Sequence, residues 1–262
     1  MKQVTCVGFY GNQKPNEFVD LLKFLQSAIM NSPLRNDFRP YDLRQIHGTI
    51  IGMEKIIGFR NFANLNNWDI NNNLINMKFD QFIQIIKNLT FPIEIKFGGF
   101  KENYSDFLSC PNSKLPQKEP YFRSFSINIR MGKAILIGWP HHNNDFVNNK
   151  KLLHLRNEMK SKANIVHKYD NWEDNDFFVV LGDFSNKSYW LAENNSSEIE
   201  SLNTSIRNRM SELNNSKGVD ISLNLNDIYL VQYQNETLEL QSSEAFNLLN
   251  YNFDLNIDNI YS

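Results

Sequence analysis

The 262-residue chain reads as an α+β protein, in which strand-like and helix-like segments alternate through two similar halves. Three observations predict this class. Short β-branched and aromatic runs recur between turn residues, stretches of apolar residues at helical spacing follow them, and a long polar segment carrying Gly and Pro separates the first set from the second. With 41% hydrophobic and 21% charged residues, the chain has the material for a large core, which excludes disorder.

Residues 4–10 (VTCVGFY) form an apolar run closed by Gly11 and Asn12, a strand. Asn16–Met30 carries apolar residues at helical spacing. A turn region with Pro33 and Pro40 leads to residues 44–53 (RQIHGTIIGM), a second strand. Its alternation puts Ile46, Gly48 and Ile50 on one face and His47, Thr49 and Ile51 on the other. Residues 61–76 read as a polar loop or ragged helix, 80–89 as a helix and 92–97 as a strand. Residues 98–119 are a connecting loop. Residues 124–130 and 133–139 then read as a hairpin, 146–162 as a helix, and 164–183 as a strand region with its most apolar part at 177–181. Another helix is expected at 197–213, and residues 219–233 alternate as one long strand or a hairpin. The sum is two pseudo-symmetric β-α-β-α-β halves with sheets packed together and helices outside. That makes one bilobal domain over residues 1–234, with lobes of about 1–97 and 120–234 linked by 98–119; residues 235–262 are an extension, either peripheral hairpin or tail.

Charge and composition narrow the partners. Lys and Arg total 27 against 29 Asp and Glu, a net charge of -2, so no broad basic face draws the chain to long duplex nucleic acid or anionic lipid. No apolar run approaches the roughly 20 residues that cross a bilayer, and the first residues lack a signal-peptide pattern; the expectation is a cytoplasmic, monomeric protein without a membrane partner. Cys6 and Cys110 are too few for a disulfide framework, and Cys6 falls in an apolar run that predicts burial. Asparagine supplies 39 residues, clustered where turns are wanted, which fits solvated loops.

The segment with chemistry in it is His47-Gly48-Thr49-Ile50. On a strand, His47 and Thr49 share a face about 7 Å apart, a span that one phosphate bridges. An imidazole exchanges protons near neutral pH, and the hydroxyl beside it donates to a phosphoryl oxygen. The competing reading is an ordinary sheet-face histidine with Thr49 as a β-former.

The order of elements, with His-Gly-Thr-Ile on the second strand, resembles the two-histidine phosphoesterase superfamily, the family of bacterial RNA 2',3'-cyclic phosphodiesterases and 2'-5' RNA ligase-like proteins. The likeness spans about residues 4–233. It implies antiparallel sheets facing a central cleft, with one His-x-Thr/Ser motif from each half. It also implies metal-independent acid/base chemistry, without a cofactor, on a small nucleotide or RNA-end phosphodiester. On that resemblance His47 is one catalytic histidine and Thr49 its phosphate-binding hydroxyl. Matching the apolar strands sets the second motif against residues 176–180 (DFFVV), which offer neither imidazole nor hydroxyl. A shifted register instead offers His167 as second catalytic residue, with Lys168 and Tyr169 on the phosphate. The alternative is a degenerate relative that binds a nucleotide or phosphate without converting it.

Arg44 and Arg123 are candidate phosphate clamps, although Arg44 lies three residues before His47, which strand parity sets on the opposite face. Tyr121, Phe122 and Trp139 are suited to base stacking or to the core. His141 and His142 lie at a strand end, and His154 reads as a partly buried helix residue. No metal-ligand spacing, glycine-rich phosphate loop or serine elbow is present, so no metal is expected.

Overall fold

The computed structural model describes residues 2–58, 62–190, 193–250 and 260–261, without the side chains of 188 and 193–195. Among the described residues, ten strands form one antiparallel sheet: β1 (Gln3–Gly8), β2 (Phe38–Pro40), β3 (Gly48–Gly52), β4 (Ile93–Phe97), β5 (Phe125–Asn128), β6 (Lys133–His141), β7 (Phe177–Phe184), β8 (Val219–Leu223), β9 (Ile228–Tyr233) and β10 (Ser243–Asn247). The path runs β10-β9-β1-β3-β7-β6-β4-β8, with β2 added to β7 and β5 to β6. The helices are α1 (Asn16–Met30), α2 (Leu65–Asn71), α3 (Phe79–Asn88), α4 (Pro120–Ser124), α5 (Lys151–Ala163), α6 (Lys187–Trp190) and α7 (Glu193–Ser211). No helix among the described residues is long and apolar enough to cross a membrane.

The α+β class and the antiparallel pairing are as the sequence predicts, but the strands do not segregate by half. β4 lies between β6 and β8, and β9 lies beside β1. The reason is the break at Asn224–Asp227. There Asp227 accepts from the Asn224 N–H at 2.8 Å, and residues 219–233 become two strands that pair with different neighbours, β8 with β4 and β9 with β1. The break also bends the sheet. From Leu223 to Ile228 the chain reaches at most roughly 18 Å, whereas six flat strand spacings from β9 to β8 would need roughly 29 Å. The sheet therefore curls until its β8 end approaches β9.

The concave side is filled by rings. Phe9, Phe18, Phe97 and Phe177 are all fully buried, with centroids 5.2–6.3 Å apart along the chain of contacts. α1 lies against this pile because Phe18, Leu21, Leu22, Leu25 and Ile29 recur on one stripe. Gly48 belongs to the same pile: a Cβ there would meet the Phe177 ring at 2.1 Å. β3 starts at Gly48, not residue 44, because the Gln45 and Ile46 N–H groups both turn back to the Asp42 carbonyl. Residues 235–262 are no loose tail where described. β10 pairs along β9, the Ile260 carbonyl accepts from Gln232, and the Tyr261 hydroxyl donates to the Met53 carbonyl.

Candidate functional site

On the opposite face, strand register lines up Tyr229, Val7, Thr49, Phe178 and Ile137, directly opposed across β9, β1, β3, β7 and β6. Opposed residues in antiparallel pairs project to the same side, so Thr49 sits in a row otherwise made of aliphatic and aromatic side chains. His47 lies just before β3; continuing the register one residue past Gly48–Val179 would bring it beside Val180. Thr49, Phe178 and Val180 remain partly exposed, between two apolar clusters on this face. One cluster contains Val7, Tyr10, Val231, Tyr233 and Leu238, and the other Phe100, Tyr121, Ile135, Ile137, Trp139 and Phe146.

His47 keeps a partly exposed edge but is otherwise surrounded. Its Nδ1 lies 2.8 Å from the Gln45 carbonyl, which only accepts, so Nδ1 carries the proton and Nε2 presents a lone pair when the ring is neutral. Burial lowers its pKa from 6.5 to about 4. The Gln45 bond opposes that, and the Lys14 and Lys133 charges reinforce it. The Tyr10 ring stands edge-on at 6.0 Å, with its hydroxyl donating to the Leu238 carbonyl, while Gln45 Nε2 donates to the Thr237 carbonyl at 2.5 Å. The segment after β9 thus helps wall the histidine.

The other predicted residues go elsewhere. His167 is buried away from this row, with Nε2 at 2.6 Å from Asp174, whose carboxylate also faces Arg156 at 3.6 Å. Burial, and then the Arg156 charge, lower the His167 pKa. Tyr169 stacks on Trp172 at 4.5 Å, and the exposed Lys168 lies 5.8 Å from the Tyr169 ring; neither joins Thr49. Arg123 is no free clamp, because its guanidinium bonds Asp176 at 2.5 Å and Ser109 at 3.2 Å. Arg44 is exposed and grips Asp42 through two bonds, at 3.0 and 2.7 Å. Tyr121 and Trp139 are core residues, and Trp139 donates to Asp176 at 2.7 Å. His141 is buried with Nε2 3.0 Å from Asp220. His154 is exposed on α5, not partly buried, since the buried stripe there is Leu152, Leu155, Arg156 and Met159.

Sequence reasoning missed the residue that holds the motif strand in place. Arg156, buried on α5, donates to the carbonyls of Thr49 and Ile50 on β3 and of Asp174 and Asp176 before β7. The β3–β7 ladder has only the pairs Gly48–Val179 and Thr49–Phe178, and the guanidinium bridges the backbones beyond them. An Arg within the apolar stripe of a helix was its visible signal. Cys110, Asp174 and Asp176 bring three ligand atoms within 4.8 Å of one another, but Arg123 and Arg156 already supply positive charge there. None of the known family models, curated proteins or solved structures compared with the chain matches it.

Proposed function

We propose that the protein binds the phosphate of a small nucleotide or an RNA end over His47 and Thr49, as a degenerate relative of the two-histidine phosphoesterases. The observation that carries this reading is the register: Phe178 lies opposite Thr49, and a continued register would bring Val180 beside His47, where paired catalysis needs a second imidazole and hydroxyl. Thr49 donates to a phosphoryl oxygen, while Lys133 supplies positive potential. The bound anion raises the His47 pKa, so Nε2 takes up a proton and becomes a second donor.

Calorimetric titration with 2',3'-cyclic AMP, AMP and a 2'-5' diadenylate, in buffers of different ionisation enthalpy, tests this. The expected result is binding with proton uptake at pH 6, loss of at least tenfold in affinity in His47→Ala, and unchanged ligand after long incubation. Absence of binding to all three overturns it.

One feature favours a second reading, a phosphoesterase with His47 as base: the Gln45 carbonyl anchors Nδ1–H and leaves the Nε2 lone pair for a hydroxyl proton. Conversion of any of the three ligands by the protein, lost in His47→Ala, selects that reading.

A further inference from the structure

An open cavity of about 610 Å³, lined by neither His47 nor Thr49, lies between residues 13–17 and the β8–β9 connection. Its size suits a small ligand. Lys14 lines it and is partly buried there. Its Nζ donates to the Gly11 carbonyl at 2.7 Å and the Arg44 carbonyl at 3.3 Å, and among the described residues no carboxylate lies within ion-pair distance. Asp42, the acid whose charge acts on Lys14, is taken by both bonds from Arg44. A partly buried ammonium held only by carbonyls keeps its positive potential for something else.

Of the three acids that line the cavity, Asp220 is ion-paired elsewhere, which leaves Glu17 and Asp227 to oppose the charge of Lys14. Asp220 is shared between Lys96 at 3.6 Å and His141 at 3.0 Å, Asp227 accepts from the Asn224 N–H, and Glu17 is exposed at the rim. The rest of the lining is hydrogen-bonding: the amides of Gln13, Asn224 and Asn226, and Ser222, whose hydroxyl donates to Glu94 at 2.8 and 2.9 Å and keeps its oxygen to accept. We infer that this cavity is a binding subsite for the anionic group of a small hydroxyl-bearing ligand, a sugar phosphate by its chemistry, with Lys14 as the anion receptor. The subsite does not rest on the reading of His47.

The test is titration of the full chain with ribose 5-phosphate, with ribose and inorganic phosphate as separate arms, following the side-chain amide signals of Gln13, Asn224 and Asn226 by NMR. Ribose 5-phosphate is expected to bind more tightly than either fragment and to shift those amides. Lys14→Gln should weaken it at least tenfold, Lys14→Arg less than threefold, and Glu17→Gln should tighten it about twofold. His47→Ala should leave it within twofold, which separates this site from the surface at His47. Should Lys14→Gln fail to fold, the amide shifts and the Lys14→Arg and Glu17→Gln affinities decide. Unshifted amides, or affinity indifferent to these charges, overturns the assignment.

Discussion

Gly48→Ala probes why the motif has its middle residue. The added methyl would sit 2.1 Å from two Phe177 ring carbons and 2.6 Å from a third, where carbon contacts are optimal near 3.5–4.0 Å. Either β3 or the ring must move by more than about 1 Å. The ring is fully buried, with Phe9 at 6.0 Å and Phe97 at 6.3 Å, so neighbours must move with it. Overpacking of this kind costs about 3 kcal/mol, at the upper end of the usual range. For a chain of this size that lowers Tm by roughly 6–12 °C. Thermal and urea unfolding measure the loss, and nucleotide titration should show weakened binding, because shifting β3 carries His47 and Thr49 with it. Adding Phe177→Leu makes room, so the double variant should lose at least about 1 kcal/mol less than the two single losses combined. A Gly48→Ala protein within about 0.5 kcal/mol of wild type would refute the packing argument.

Arg156→Met removes the donor to four buried carbonyls and leaves Asp174 without its guanidinium; the expected loss is about 3–5 kcal/mol in urea unfolding, with Arg156→Lys recovering only part. His47 also carries a pH signature. Its folded pKa of about 4 lies below its ordinary 6.5, so its contribution is complete above pH 6.5 and is lost as pH falls towards 4, about 2 kcal/mol by pH 5. His47→Gln should therefore shrink the difference in unfolding free energy between pH 7.5 and pH 5 by about that amount, and an unchanged difference would contradict the burial argument. Phe178→His with Val180→Thr rebuilds a second imidazole and hydroxyl opposite the first. A hydrolysis rate for 2',3'-cyclic AMP at least tenfold above the unmodified chain is expected, measured by chromatography of the monoester product.

The readable parts of this fold are those where local pattern and packing agree. Asn16–Met30 is helical over the whole predicted span because its apolar stripe meets the ring pile, and the 98–119 segment holds no strand or helix. Residues 219–233 were ambiguous because alternation continues through Asn224–Asp227; only pairing with β4 and β1 makes it two strands. The His47 motif was legible as chemistry, and the silent character of DFFVV was visible too. Register then sets Phe178 beside Thr49 and Val179 beside Gly48, since a one-residue slip exchanges the faces. The position of His167 was not legible. Its imidazole is claimed by Asp174, seven residues on, through a loop fold that no period announces. Lys14 was missed because its setting depends on a carbonyl thirty residues away and on the β8–β9 connection.

The most direct test of the account is the titration of the His47 imidazole itself, followed by NMR in the free protein and in the presence of saturating AMP. An apparent pKa near 4 is expected for the free chain, rising by at least one unit when the phosphate binds. A free value near 6.5, or one that AMP leaves unmoved, would contradict it.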